Sequence, residues 1–131
     1  MPKITAKSVY AIAALYYLLK KGSAATIEEI AKGANVPRNF LEQLLIALKK
    51  AGILTSIRGA HGGYKFSKPP KSITFLEVVR AVESECCTDP CRTQDPVLKL
   101  FWSDFSKSVQ KLLDRPLTTL LDLEQPQMFY I

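Results

Sequence analysis

The sequence is short of the residues that carry most catalytic chemistry. It has a single histidine, His61, and three cysteines. No glycine motif for binding phosphate is present, and no acidic and basic side chains cluster into an acid–base set, which argues against an enzyme. Long apolar runs are missing too. None approaches the roughly 18 to 20 residues of a membrane span. The opening MPKITAKS has neither the apolar core nor the small-residue cleavage site of a secretory signal. A cytoplasmic protein with no membrane partner is the expectation. Internal repeats and low-complexity tracts are also absent.

Carboxylates are scarce in one half only. Residues 1–71 hold 12 Lys and Arg against three acids, Glu28, Glu29 and Glu42, a net charge of +9. Residues 72–131 carry a net −3, which brings the whole chain to +6. A basic half suggests a polyanionic partner, with nucleic acid the first candidate. The plainer alternative is a solvated basic face that binds nothing.

What the sequence does contain is strongly patterned. Residues 6–21 form a helical stripe of Val9, Ile12, Ala13, Tyr16 and Leu19, with Thr5 as cap and Gly22 past the end. The stripe is expected to face the core. Thr26 and Glu29 make a capping box that opens a second helix ending near Gly33. A short turn follows, and Pro37 opens a third helix from its first position. Two helices joined by a tight turn bearing glycine predict a helix-turn-helix.

On the third helix Leu41, Leu44, Leu45 and Leu48 are the buried stripe. Arg38, Asn39, Glu42, Gln43, Ile46 and Lys49 fall on the opposite side. Most of these suit DNA: Arg pairs with guanine, Asn and Gln with adenine, and Glu accepts from cytosine N4. An ordinary amphipathic helix would show the same alternation, and Glu42 opposes phosphate. The next segment strengthens the case. Strand-like runs at 53–58 and 64–67 flank Gly59-Ala60-His61-Gly62-Gly63, which holds half of the chain's six glycines. Such a loop permits positive φ and close approach to another molecule. Arg58 at its base suits a narrow minor groove. Gly59, His61, Gly62 and Tyr64 are the further candidates of this wing. His61 fits a groove or phosphate contact, or plain exposure, better than catalysis.

Lys68-Pro69-Pro70-Lys71 is a stiff basic linker and marks the predicted boundary between 1–71 and 72–131. A fourth helix follows, with a second capping box of Thr74 and Glu77 and an apolar face of Leu76, Val79 and Val82. Then comes CCTDPCRTQDP, which holds Cys86, Cys87 and Cys91. Three clustered thiols make a poor disulfide framework, so a metal or thiol redox chemistry fits better. From Val97 to Leu113 a long helix carries Leu98, Phe101, Phe105, Val109 and Leu112 on one side. A chain this size has little left to cover that face, so a second subunit is expected there. The fold class is mainly α: a winged helix-turn-helix domain with a two-stranded wing and a long C-terminal dimerisation helix.

The runs FLEQLLIALKKAGIL, SIRGAHGGYKFSKPP and ITFLEVVRAVE, followed by a cysteine loop and a long helix with tryptophan, resemble the Rrf-two family of bacterial winged-helix regulators, of IscR, NsrR and CymR type. The resemblance runs from the first helix to the final TLLDL. It implies a homodimer on a two-fold-symmetric promoter site in double-stranded DNA, with base contacts from Arg38, Asn39, Glu42 and Gln43 and minor-groove contacts from Arg58 and its loop. Helix 1 is then expected to pack on the dimerisation part as well. In one branch of the family three cysteines hold an iron–sulfur cluster, which casts Cys86, Cys87 and Cys91 as metal ligands. Here they are compressed into Cys-Cys-x3-Cys, and helix 1 offers Ser8, Val9 and Tyr10 where a carboxylate ligand stands in the family. Glu83, Glu85, Asp89 and Asp95 are the local substitutes. A cluster, a thiol switch and an inert loop all remain open. A winged helix serving protein assembly or RNA is the competing reading, opposed by the basic half and the polar face of the third helix.

Overall fold

The computed structural model of the protein describes residues 4–60, 62–83 and 91–124. Helix α1 (Ala6–Lys21) starts at Thr5, whose hydroxyl accepts from the Lys7 N–H, and ends at Gly22 with φ of 71°. Its core face is Ala11, Ala14, Leu15 and Leu18, not the predicted stripe, and Val9 is exposed. The helix is apolar almost all round, so periodicity alone offers two faces. The side with two alanines permits the closest approach and turns inward.

Helix α2 (Ile27–Ala34) has both halves of the predicted capping box between Thr26 and Glu29. The turn after it differs from expectation. The left-handed residue is Asn35, with φ of 57°. Gly33 lies inside the helix for a packing reason: a Cβ there would sit 2.1 Å from the Tyr17 ring. Helix α3 (Arg38–Lys50) begins one residue later than expected, with Pro37 as its N-cap.

Strands β1 (Leu54–Ile57) and β2 (Gly63–Phe66) pair antiparallel, Leu54 opposite Phe66 and Ile57 opposite Gly63. A 3-10 turn at Pro70–Ser72 leads into α4 (Phe75–Val82). Val78, Val79 and Val82 are its buried residues, with Leu76 only half-buried. Thr74 caps the helix, but the second half of the predicted box is missing. The Glu77 carboxylate instead accepts from Lys68 Nζ at 2.8 Å, a charge-assisted bond that a neutral backbone N–H does not match.

Helix α5 (Pro96–Leu113) is capped by Asp95, whose carboxylate accepts from the Val97 and Leu98 N–H groups. Pro116 then bridges back to Thr74, and the Leu117 N–H reaches the Ile73 carbonyl at 2.8 Å. Helix α6 (Thr119–Asp122) closes the described chain, and the Tyr16 hydroxyl donates to Glu124 beyond it. Ile73, Val78, Val82 and Leu117 share one core with the leucines of α1 and α3. Helix α5 stands apart. Its only buried residue is Ser106. Phe101, Trp102 and Phe105 pack on one another, with ring centroids 4.9 to 6.2 Å apart. Among the described residues no helix is long and apolar enough to cross a membrane.

Candidate nucleic-acid interface

Four leucines set the roll of α3. Leu41, Leu44, Leu45 and Leu48 are buried, which leaves Arg38, Asn39, Glu42, Gln43, Ile46 and Lys49 all exposed on one side. The six sequence candidates on this helix thus share a face. The start of the helix is open as well. No side chain caps it and its first turn has no acid, whereas Thr5, Thr26, Thr74 and Asp95 cap α1, α2, α4 and α5. Uncapped N–H groups and the positive end of the helix dipole form a natural seat for phosphate.

Arg38 is held by two acids. Its Nη2 lies 2.9 Å from Glu28 of α2, and its Nε lies 3.7 Å from Glu42 one turn on. All three side chains are more than half exposed, so the pairs add little to stability. They matter for binding, because a base edge must compete with them for the guanidinium. Glu28 was not among the sequence candidates. The one hint in the sequence is the scarcity of acids in the basic half, which has three.

Helix and wing are joined. Lys49 Nζ donates to Ser56 Oγ in β1 at 2.8 Å. The Ala25 and Tyr64 N–H groups each donate to the other's carbonyl, at 3.0 and 2.8 Å, so β2 is stitched to the chain just before α2. Gly63 sits at this seam with φ of 145°, and a Cβ would lie 2.2 Å from the Ala25 carbonyl oxygen. At the tip the Gly62 N–H donates to the Gly59 carbonyl at 3.0 Å. Arg58 and Gly59 are exposed beside this turn. Tyr64 is half-buried against the core, where it anchors the wing. His61 lies outside the described residues.

The cysteine candidates are only partly described. Cys86 and Cys87 lie outside the described residues. Cys91 is half-buried ahead of α5, its thiol 3.4 Å from the Thr93 carbonyl. Among the described residues no group of three His, Cys, Asp or Glu side chains is placed to hold a metal ion. Two of the substitute acids have other tasks. Asp95 caps α5. Glu83, buried at the end of α4, accepts from the Thr5 N–H and hydroxyl and from the Ser8 hydroxyl, at 2.6 to 2.9 Å. Burial pushes the Glu83 carboxyl up, but the bonds from Ser8 and Thr5 more than offset this and hold it below the usual glutamate value. Ser8, where a carboxylate was sought, serves a carboxylate from another helix. No local signal marks that contact, because its partners are 75 or more positions apart.

A family model described as "Rrf2: Iron-dependent Transcriptional regulator" matches residues 4–125. Over 93 residues, 67% of the chain, the sequence is 41% identical to an rrf2-like HTH-type transcriptional regulator of Rhodobacter capsulatus. It spans 62% of that relative's length. It is 33% identical to the HTH-type transcriptional regulator CymR of Bacillus subtilis, over 98% of this chain and 99% of that one. The solved structure of CymR (YrzC), described as the global cysteine regulator of B. subtilis, superposes with a TM-score of 0.81 at 31% identity. The match covers 92% of this chain and 96% of that structure.

Proposed function

The chain belongs to the Rrf2 family of transcriptional regulators, and on that premise we propose a cytoplasmic homodimer that reads a two-fold-symmetric promoter site with α3 and the wing. Residues 1–71 contact DNA, while 72–131 carry the dimer contact and the signal. Family membership makes it a DNA-binding regulator and not an enzyme. The observation that carries the reading is the shared exposed face of α3, open at its N-terminus, tied through Lys49 and Ser56 to the wing and set in the basic half.

In this reading α3 enters the major groove N-terminus first. Phosphate meets the uncapped first turn. Arg38 leaves Glu28 for a guanine edge, Asn39 and Gln43 take adenine, and Glu42 accepts from cytosine. Lys49 contacts the backbone, and Arg58 with Gly59, His61 and Gly62 follows the minor groove. The second subunit docks on α5, where Val97, Leu98, Leu100, Phe101, Phe105 and Leu112 are exposed. A gel shift against salt and competitor sequence tests the DNA half. Binding that falls with salt yet ignores sequence would reduce α3 to a phosphate contact.

The signal acts on the segment between α4 and α5. Its flanks are pinned, one by Glu83 to α1 and the other by Asp95 to α5, so a change of shape between them turns α5 against the DNA-binding helices. Two kinds of chemistry compete for the thiols. A cluster on Cys86, Cys87 and Cys91 needs one more ligand. Of the four local acids, Glu83 and Asp95 already have partners in the fold, so a cluster would draw on Glu85, Asp89 or a donor from the other subunit. The thiol switch needs nothing further: Cys91 and one of the pair form a disulfide, passing two electrons and two protons to a peroxide-class oxidant. Iron and sulfide content after anaerobic reconstitution separates the two. Bound iron lost in Cys91→Ala restores the cluster. Iron-free protein whose DNA binding responds to peroxide, but not after all three thiols become serine, establishes the switch.

A further inference from the structure

The polar face of α3 holds one side chain that neither folding nor charge explains. Ile46 is 57% exposed. It is the only large apolar side chain left exposed among the described residues from 22 to 83. The other exposed apolar residues belong to the segment before α1, to α1, to α5 and to the segment after α6, and α5 has its own explanation. A β-branched residue at an exposed helical site gives up some helix propensity and buries less than half of its surface in return. Yet Ile46 lies one turn beyond Glu42 and Gln43 and one turn before Lys49, so it shares their stripe. From Arg38 to Ile46 the helix rises about 12 Å, which is also about the width of the major groove.

We propose that Ile46 is a specificity-determining residue that contacts the C5-methyl group of a thymine in the half-site. This rests on the reading of α3 as the major-groove helix. Thymine alone presents an apolar group on its major-groove edge. Against the donors and acceptors of any other base, the isoleucine would displace water and offer no hydrogen bond in exchange. Ile46 thus reads by both attraction and exclusion, beside polar neighbours that read by hydrogen bonds.

Removing only the methyl group tests this from the DNA side. The wild-type chain is first given a random DNA library, and its preferred site is identified. Each thymine of that site is then replaced singly by deoxyuridine, and affinity is measured for wild type, Ile46→Ala and Ile46→Val. One thymine per half-site is expected to cost the wild type about three- to fivefold, the worth of one buried methyl. The same replacement should cost Ile46→Ala nothing and Ile46→Val an intermediate amount. Equal losses in wild type and Ile46→Ala would assign the methyl to another residue or to DNA shape and overturn the proposal. So would a site in which no thymine responds, or one that has no thymine. A wild type with no sequence preference would instead remove the parent reading of α3, and this proposal with it.

Discussion

Helices α3 and α5 are both amphipathic, and they turn their apolar sides in opposite directions. Helix α3 buries four leucines and shows water a row of polar groups. Helix α5 buries one serine and shows water six large apolar side chains. The first pattern suits a helix that, on the proposed reading, meets a charged and hydrated partner. The second suits a helix that, on the proposed reading, docks on another protein surface. The chain's charge follows the same division, basic around α3 and mildly acidic around α5.

If the contrast is sound, the same kind of substitution has different consequences in the two helices. Leu45→Ala opens a cavity in the core and should cost about 2 to 5 kcal/mol of folding stability, read by urea denaturation. Leu100→Ala should shift the same measurement by no more than about 0.5 kcal/mol when the protein is dilute enough to be monomeric. Equal losses would mean that α5 packs within its own chain. Next in size, Leu100→Glu combined with Phe101→Glu should yield folded monomers in sedimentation. Their affinity for a full site should fall at least about a hundredfold as bivalency is lost. A double variant that still sediments as a dimer would move the interface elsewhere.

On the polar helix, Arg38→Ala and Gln43→Ala should each cost roughly 1 to 3 kcal/mol at one base pair and relax preference there. An unchanged preference after Gln43→Ala in a binding selection would remove α3 as the reader. Glu83 tests the joint between the two regions. Its carboxyl is held below the ordinary value, so its contribution is complete above the glutamate range near pH 4.3 and disappears as pH falls through the depressed value. Glu83→Gln should therefore cost about 1 kcal/mol at neutral pH, because glutamine keeps one acceptor oxygen. That gap should close as pH falls below the glutamate range and through the depressed value, and a constant gap would assign the effect to packing. The smallest effect is expected from Lys49→Ala: a weaker grip on every sequence alike, with the salt slope reduced by about 1.

The sequence made the local features plain. The α2 capping box, the leucine stripe of α3, the glycine-bearing wing and the long apolar helix are written in spacings of two to four residues, and each formed where expected. The core face of α1 was misjudged because both of its faces are apolar. The role of Gly33 was misjudged because its neighbour, Tyr17, comes from another helix. Contacts between distant segments left no trace to follow: Ala25 with Tyr64, Thr74 with Pro116, and Glu83 with Thr5 and Ser8. In the candidate site, the exposed row on α3 was readable from the leucines alone. The pairing of Arg38 with Glu28 depends on how α2 lies across α3, and no periodicity records that.

Because Ala25 and Tyr64 join through main-chain atoms, the wing can be rewritten without being detached. The seam asks for a glycine at position 63 and for Tyr64 against the core, and the turn before it asks for a glycine at 62, where a Cβ would lie 2.4 Å from the Ile57 carbonyl oxygen. Arg58 and Ala60, both exposed ahead of these glycines, can then be varied while the strands keep their register. The protein separates the mounting of its wing from the wording of its tip. A designer retargeting it to new DNA can vary the tip as a cassette and leave the scaffold alone.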